Sequence, residues 1–285
     1  MQQTNTTPTA TTTPAQRVRA AFEAGRQEKR GVLIPYFMCG YPSAEQSAEV
    51  VLAAAEAGAD LIELGLPFSD PLADGATIQH AGHLALERGM TMRGCLEVAR
   101  RVAARSSVPL ILMGYYNPLL AYGLERFCQD AAASGACGMI IPDLPPDEAT
   151  KLQDAAVASG LALIFLIPPT TSDERIAQIA ARASTIPGSF IYCVSLSGVT
   201  GASSKFEILP SLLARIYSHT RKYGLPVVVG FGLTQPDHIA LVSSLADGSA
   251  VGTALVKLLD QHAEPEQAGA VRTYIHSLRE ATGRA

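Results

Sequence analysis

Long apolar runs are missing from this 285-residue sequence. None approaches the roughly 20 residues that a membrane-spanning helix requires, and the start lacks the basic segment followed by an apolar stretch that marks a secretory signal. Cysteine is sparse and unpatterned. Cys39, Cys95, Cys128, Cys137 and Cys193 are odd in number and scattered, without the C-x-x-C spacing of a metal or redox site. Most stand in apolar runs, where cysteine acts as a small hydrophobe, so a reducing cytoplasm is the expected compartment. Positive charge is short as well. With 22 Lys+Arg against 26 Asp+Glu, the formal net charge is -4, which offers no field to draw nucleic acid or an acidic membrane. A small molecule is the expected partner.

What is present is apolar material for one large core: 48% of the residues are hydrophobic and 17% charged, enough for a single barrel. Residues 1–14, MQQTNTTPTATTTP, are rich in Thr and Pro and have little to bury, so a disordered tail is expected there. A short organellar transit peptide is the minor alternative, weakened by its low arginine content. Residues 15–285 are expected to form one domain.

After a helical lead-in near residues 15–28, short β-branched runs alternate with Ala-rich amphipathic segments, the pattern of parallel strands covered by helices. The strand candidates are Val32 to Met38, Ala59 to Gly65, Val108 to Gly114, Cys137 to Pro142, Leu161 to Ile167, Ser189 to Ser195, Leu225 to Gly230 and Gly248 to Gly252. Eight such units spell an α/β fold of the (β/α)8 TIM-barrel type with an N-terminal helix. Gly58, Gly135, Gly160 and Gly224 stand where left-handed helix ends favour glycine. Ser43 with Gln46, and Thr171 with Glu174, have capping-box spacing at helix starts. The competing fold, an open doubly wound sheet, calls for a G-x-G-x-x-G turn after the first strand, and Met38-Cys39-Gly40-Tyr41-Pro42 is not one. Two connections stand out as long, Leu66 to about Gln79 and Gly198 to about Glu207, on the barrel face that carries function.

Glu63 lies near the end of the apolar strand ADLIELG. Facing the barrel interior, it would sit at the catalytic mouth, where desolvation raises a carboxyl pKa toward acid-base duty; a structural ion pair is the equally weighted alternative. Asp70 and Asp74 follow in a Pro- and Gly-rich loop, although loops favour Asp for local reasons too.

At this point the chain itself becomes recognisable. ELGLPFSDPLADGATIQ closely resembles the loop after the second strand in tryptophan synthase alpha subunits, and the resemblance continues through GYYNPLLAYG, PDLPPDE, PPTTSDERI, SLSGVTGA, GFGL and GTALVK, over nearly all residues from 30 to 260. It implies that Glu63 and Asp74 are the catalytic carboxylates and that Tyr192 lines the substrate pocket, with Phe37 and Phe231 as further pocket candidates. Gly201, Gly232, Gly252 and Thr253 match phosphate-binding positions. Independently, glycines after strands seven and eight beside a helix N-terminus form the usual barrel phosphate site. Three departures stand out: Ala76 where proline is usual, Leu196 where arginine often occurs, and Thr253 where serine is common. Leu196 removes a bidentate guanidinium anchor for the sixth loop.

The implied reaction is retro-aldol cleavage of indole-3-glycerol phosphate, with Glu63 protonating the indole carbon and Asp74 accepting the indole N–H. No cofactor is implied in this chain. The resemblance implies a pyridoxal phosphate-dependent beta subunit as partner in an alpha2beta2 complex, with Asp70, Pro71 and Asn117 to Tyr122 as contact candidates. A stand-alone lyase releasing indole, and a non-catalytic activating subunit, remain alternatives. A Schiff-base aldolase is disfavoured because all five lysines fall outside the strands, and a metal-dependent epimerase because the six histidines avoid the strand ends.

Overall fold

The computed structural model describes residues 12–194, 202–230 and 232–284. Eight strands close in sequence order into a barrel: β1 (Val32–Met38), β2 (Ile62–Gly65), β3 (Leu110–Met113), β4 (Ala136–Ile140), β5 (Ala162–Ile167), β6 (Ile191–Val194), β7 (Val227–Gly230) and β8 (Gly248–Val251). Every described pairing is parallel, including β8 against β1, where Ile34 pairs with Ala250. The near-continuous Val, Ile and Leu of these strands follow from burial on both faces, interior on one side and helices on the other.

β1 and β8 start where the apolar pattern places them and β4 one residue earlier, at Ala136, whereas the other five strands start one to three residues later. β2 begins at Ile62 rather than Ala59, because Asp60 and Leu61 both direct their N–H groups to the Leu33 carbonyl, at 3.0 and 3.5 Å. Arg30 clamps this end of β1 to β2 by a two-pronged bond to Asp60, both contacts at 2.7 Å, while an Asp60 oxygen also accepts from the Leu33 N–H. Fork-on-carboxylate geometry of this kind fixes orientation as well as distance.

The floor of the barrel is the N-terminal helix Pro14–Gln27. Thr13 caps it in a complete capping box with Gln16, and Pro14 occupies the first turn, where its missing N–H costs nothing. Order therefore reaches back to Thr13, inside the segment 1–14 expected as tail; residues 1–11 lie outside the described residues. The helix rests on Gly188, where a side-chain carbon would come within 2.2 Å of the Ala15 carbonyl, and Phe22 packs on Phe190 with ring centres 5.2 Å apart.

Helix punctuation follows the expected glycines, since Gly58, Gly135, Gly160 and Gly224 all have positive φ. Caps follow less closely. Ser43 accepts from the Gln46 N–H as predicted. The Thr171–Glu174 box is displaced by one residue: Ser172 caps the helix Asp173–Ala183 through the Arg175 N–H, and the Thr171 hydroxyl turns back to the Pro168 carbonyl. A neighbouring pair of hydroxyl residues leaves the cap ambiguous until the chain direction is known. Both long connections are also shorter than expected. Helices start at Ala76, directly after Gly75, and at Ala202. Ala76 thus occupies a first-turn position that suits proline but does not require it.

Candidate active site

The alternation of β1 and β2 decides which side chains face inward. Tyr36 pairs with Glu63, and Glu63 in turn with Ile111 of β3, so these three stand side by side on the barrel interior. Glu63 is 1% exposed. Its Oε1 has no hydrogen-bond partner among the described residues, which removes the structural ion pair as the reason for its presence. Burial alone pushes its carboxyl up to about 8, so near neutral pH it holds its proton.

Asp74 reaches the same cavity from the loop after β2. Burial raises its carboxyl to about 6, and a hydrogen bond from the Tyr115 hydroxyl works in the opposite direction. Two carboxyl groups in one cavity thus have separated tendencies: Glu63 keeps a proton over a range in which Asp74 gives its own up.

The cavity at the carboxyl ends of the strands holds about 410 Å³ of space, partly open to solvent. Glu63, Asp74, Tyr192, Gly232, Gly252 and Thr253 all line it, bringing together six of the nine predicted site residues. Gly201 and Phe231 lie outside the described residues, as does Leu196. Phe37 is corrected: it is fully buried, but its place on the wall belongs to Tyr36. Adjacent strand residues point to opposite faces, and Phe37 pairs with Leu64, on the side away from Glu63. Ile78, Met113, Ala250 and Val251 supply apolar wall that sequence reading did not single out. The sequence carries no local signal that separates Tyr36 from Phe37, because the register of β1 against β2 decides which of them stands beside Glu63.

On the β8 side the cavity wall includes backbone of Gly232 and Gly252. Gly232 has φ +83°, and Gly252 caps the helix Thr253–Asp260 without a side-chain cap. The first N–H groups of a helix lack internal partners and carry the positive end of its dipole, so this corner suits an anion. Thr253, the first residue of that helix, lines the same cavity.

Two tyrosines are accommodated by glycine. A carbon on Gly65 would lie 2.0 Å from the Tyr36 hydroxyl, and one on Gly230 2.2 Å from that of Tyr192. Both rings therefore lie across the end of a neighbouring strand. Burial, reinforced by the charge of Glu63, pushes the Tyr192 phenol well above its ordinary range, so it stays protonated.

No group of three or more His, Cys, Asp or Glu side chains is arranged to hold a metal among the described residues. His80 and His83 lie on the helix Ala76–Glu87, and His238 on the helix Pro236–Leu245.

Comparison with known proteins agrees with this geometry. The sequence profile of the family described as tryptophan synthase alpha chain matches residues 22–282. The alpha chain of Chloroflexus aggregans is 48% identical over 270 residues, covering 94% of this chain and 98% of its own length. That of a Roseiflexus species is 46% identical over 265 residues, covering 92% and 99%. Among solved structures, a chain of Mycobacterium tuberculosis tryptophan synthase in an open form superposes with a TM-score of 0.84 at 32% identity, covering 94% of this chain and 99% of that one. The alpha subunit from Legionella pneumophila gives 0.82 at 33% identity, covering 93% and 98%. Likeness of this degree along more than nine-tenths of the chain makes it a member of the tryptophan synthase alpha chain family.

Proposed function

We propose that Glu63 and Asp74 carry out the carbon–carbon lyase reaction of this family, cleavage of indole-3-glycerol phosphate to indole and glyceraldehyde 3-phosphate. The observation that carries the assignment is the pair of buried carboxyls with separated proton affinities in one cavity. The departing indole carbon is too basic to leave as a bare carbanion. Protonated Glu63 supplies a proton to that carbon, which turns indole into a leaving group, and then takes up the proton of the adjacent chain hydroxyl as the carbonyl forms. Ionised Asp74 accepts the indole N–H and stabilises the positive charge that develops on the ring.

The phosphate is held by the backbone of Gly232 and Gly252 and by the Thr253 hydroxyl, with Gly201 completing that site and Phe231 lining the substrate pocket by family resemblance. Tyr192 shapes the wall beside Glu63. Binding the phosphate away from the reacting bond fixes the chain between the anion corner and the carboxyls.

This chain acts with a beta subunit that carries pyridoxal phosphate and consumes indole, in an alpha2beta2 assembly; no cofactor is assigned to the alpha chain itself. Two exposed leucines at the catalytic end favour this reading over a stand-alone indole-releasing lyase: Leu72, 92% exposed in the loop after β2, and Leu120, 54% exposed in the helix after β3. Apolar side chains left in water at a catalytic mouth suit a covered surface. A cytoplasmic location accords with five free cysteines, all buried. No described helix is long and apolar enough to cross a membrane.

The test is release of indole from indole-3-glycerol phosphate, measured with and without a beta subunit. Turnover that rises on mixing supports the full reading. High turnover of the isolated chain with no response to the partner favours the stand-alone lyase, and no turnover in either condition defeats the assignment.

A further inference from the structure

β1 lies between the strand that ends in the anion corner and the strand that carries Glu63, since the barrel order is β8, β1, β2. Tyr36 spans this gap. Its Cβ and Cδ1 would lie 3.4 Å from a side-chain carbon placed on Gly252, whereas its hydroxyl lies over Gly65, two residues beyond Glu63. One ring thus runs from beside the anion corner to beside the acid.

The hydroxyl at the far end is underused. Tyr36 is buried, and the one hydrogen bond recorded for its oxygen among the described residues goes to the Met38 sulfur at 3.9 Å. A thioether is a weak acceptor, so the phenol has surrendered water for little in return. Phenylalanine would fill the same space over Gly65 without that cost, so packing does not account for the oxygen. Burial, together with the charges of Asp74 and Glu63, also keeps the phenol protonated and able to donate.

We propose that Tyr36 orients the substrate: its hydroxyl leaves the Met38 sulfur and hydrogen-bonds a hydroxyl of the three-carbon chain that joins the phosphate to the bond being broken. The inference rests on the cleavage reading given above and adds to it a group that grips the chain between its two ends. It makes Tyr36 a determinant of which chains are accepted. A substrate with hydroxyls satisfies the phenol, and one without them leaves it on sulfur.

The test compares wild type with Tyr36→Phe on two compounds, indole-3-glycerol phosphate and indole-3-propanol phosphate, which keeps ring and phosphate but has no chain hydroxyl. The variant should lose about tenfold in kcat/KM for the first, the effect of one removed hydrogen bond, and bind the second as tightly as wild type. Undiminished kcat/KM overturns the proposal. So does an equal loss of affinity for the hydroxyl-free compound, which would mark a packing role. Wild type that fails to cleave indole-3-glycerol phosphate removes the underlying reading, and that outcome is seen before the variant is compared.

Discussion

The Tyr115 hydroxyl joins two loops at Asp74: it accepts a hydrogen bond from the Ala73 N–H at 3.0 Å and donates one to the Asp74 carboxylate. The loop after β2 is thereby tied to the start of the loop after β3. A hydrogen bond donated to a carboxylate favours its ionised form, so Tyr115 partly offsets the burial that raises Asp74 to about 6. Tyr115→Phe is expected to move the acid limb of the kcat/KM profile to higher pH by about one unit, lowering activity about tenfold well below pH 6 and about twofold near neutrality, with less change at higher pH. An acid limb that stays in place would show that the bond does not govern Asp74.

The wild-type profile itself should be bell-shaped. Activity needs Asp74 ionised and Glu63 protonated, so it rises as pH passes through about 6 and falls as pH passes through about 8. Glu63→Gln keeps the shape of the side chain but cannot transfer a proton, and should lower kcat at least about 100-fold while glycerol phosphates still bind. Near-normal turnover of this variant defeats the assignment of the acid.

Glu63 also carries a cost in stability. Its folded pKa, about 8, lies above the ordinary 4.5, so between these values the native state holds a proton that the unfolded chain releases. Stability contributed by this group is full below about 4.5 and is lost as pH rises toward 8, by a few kcal/mol at most. Thermal melts of Glu63→Gln and wild type should therefore diverge in the variant's favour from pH 5 to 8. Parallel melting curves across that range would mean that the carboxyl is better solvated than its burial implies.

Gly230 is expected to tolerate no side chain. A carbon there would lie 2.2 Å from the Tyr192 hydroxyl and 2.3 Å from its ring. Gly230→Ala must displace Tyr192 or bend the end of β7, at about 1–3 kcal/mol by the usual measure of overpacking. Chemical denaturation would read this loss directly, and the displaced tyrosine should lower kcat/KM as well.

Leu72 tests the partner surface. Because it is nearly fully exposed, Leu72→Asp should leave the fold and the basal turnover of the isolated chain unchanged while weakening association with a beta subunit. Titration of beta subunit into the variant, followed by activation of indole release, gives the measurement; activation at wild-type concentrations would remove Leu72 from the interface.

How far the sequence reached can be judged from particular residues. Periodicity and glycine placement were sufficient for eight strands in the right order, since short β-branched runs bounded by left-handed glycines leave few other folds. Glu63 stood out because a carboxylate in an apolar strand needs a reason, and motif resemblance marked Asp74 and the glycine turns. These features are local in the chain. The choice between Tyr36 and Phe37 was not, because both are aromatic neighbours in one strand and only closure of β1 between β8 and β2 decides which points inward. The same holds for the Thr171 or Ser172 cap, which depends on the direction in which the chain leaves β5. Composition and period determine which elements form, because those preferences act over a few residues. Tertiary structure alone decided that Glu63 Oε1 has no hydrogen-bond partner among the described residues, that Tyr115 reaches Asp74 across 41 positions and that two tyrosines lie on glycines, because each depends on packing between segments distant in sequence.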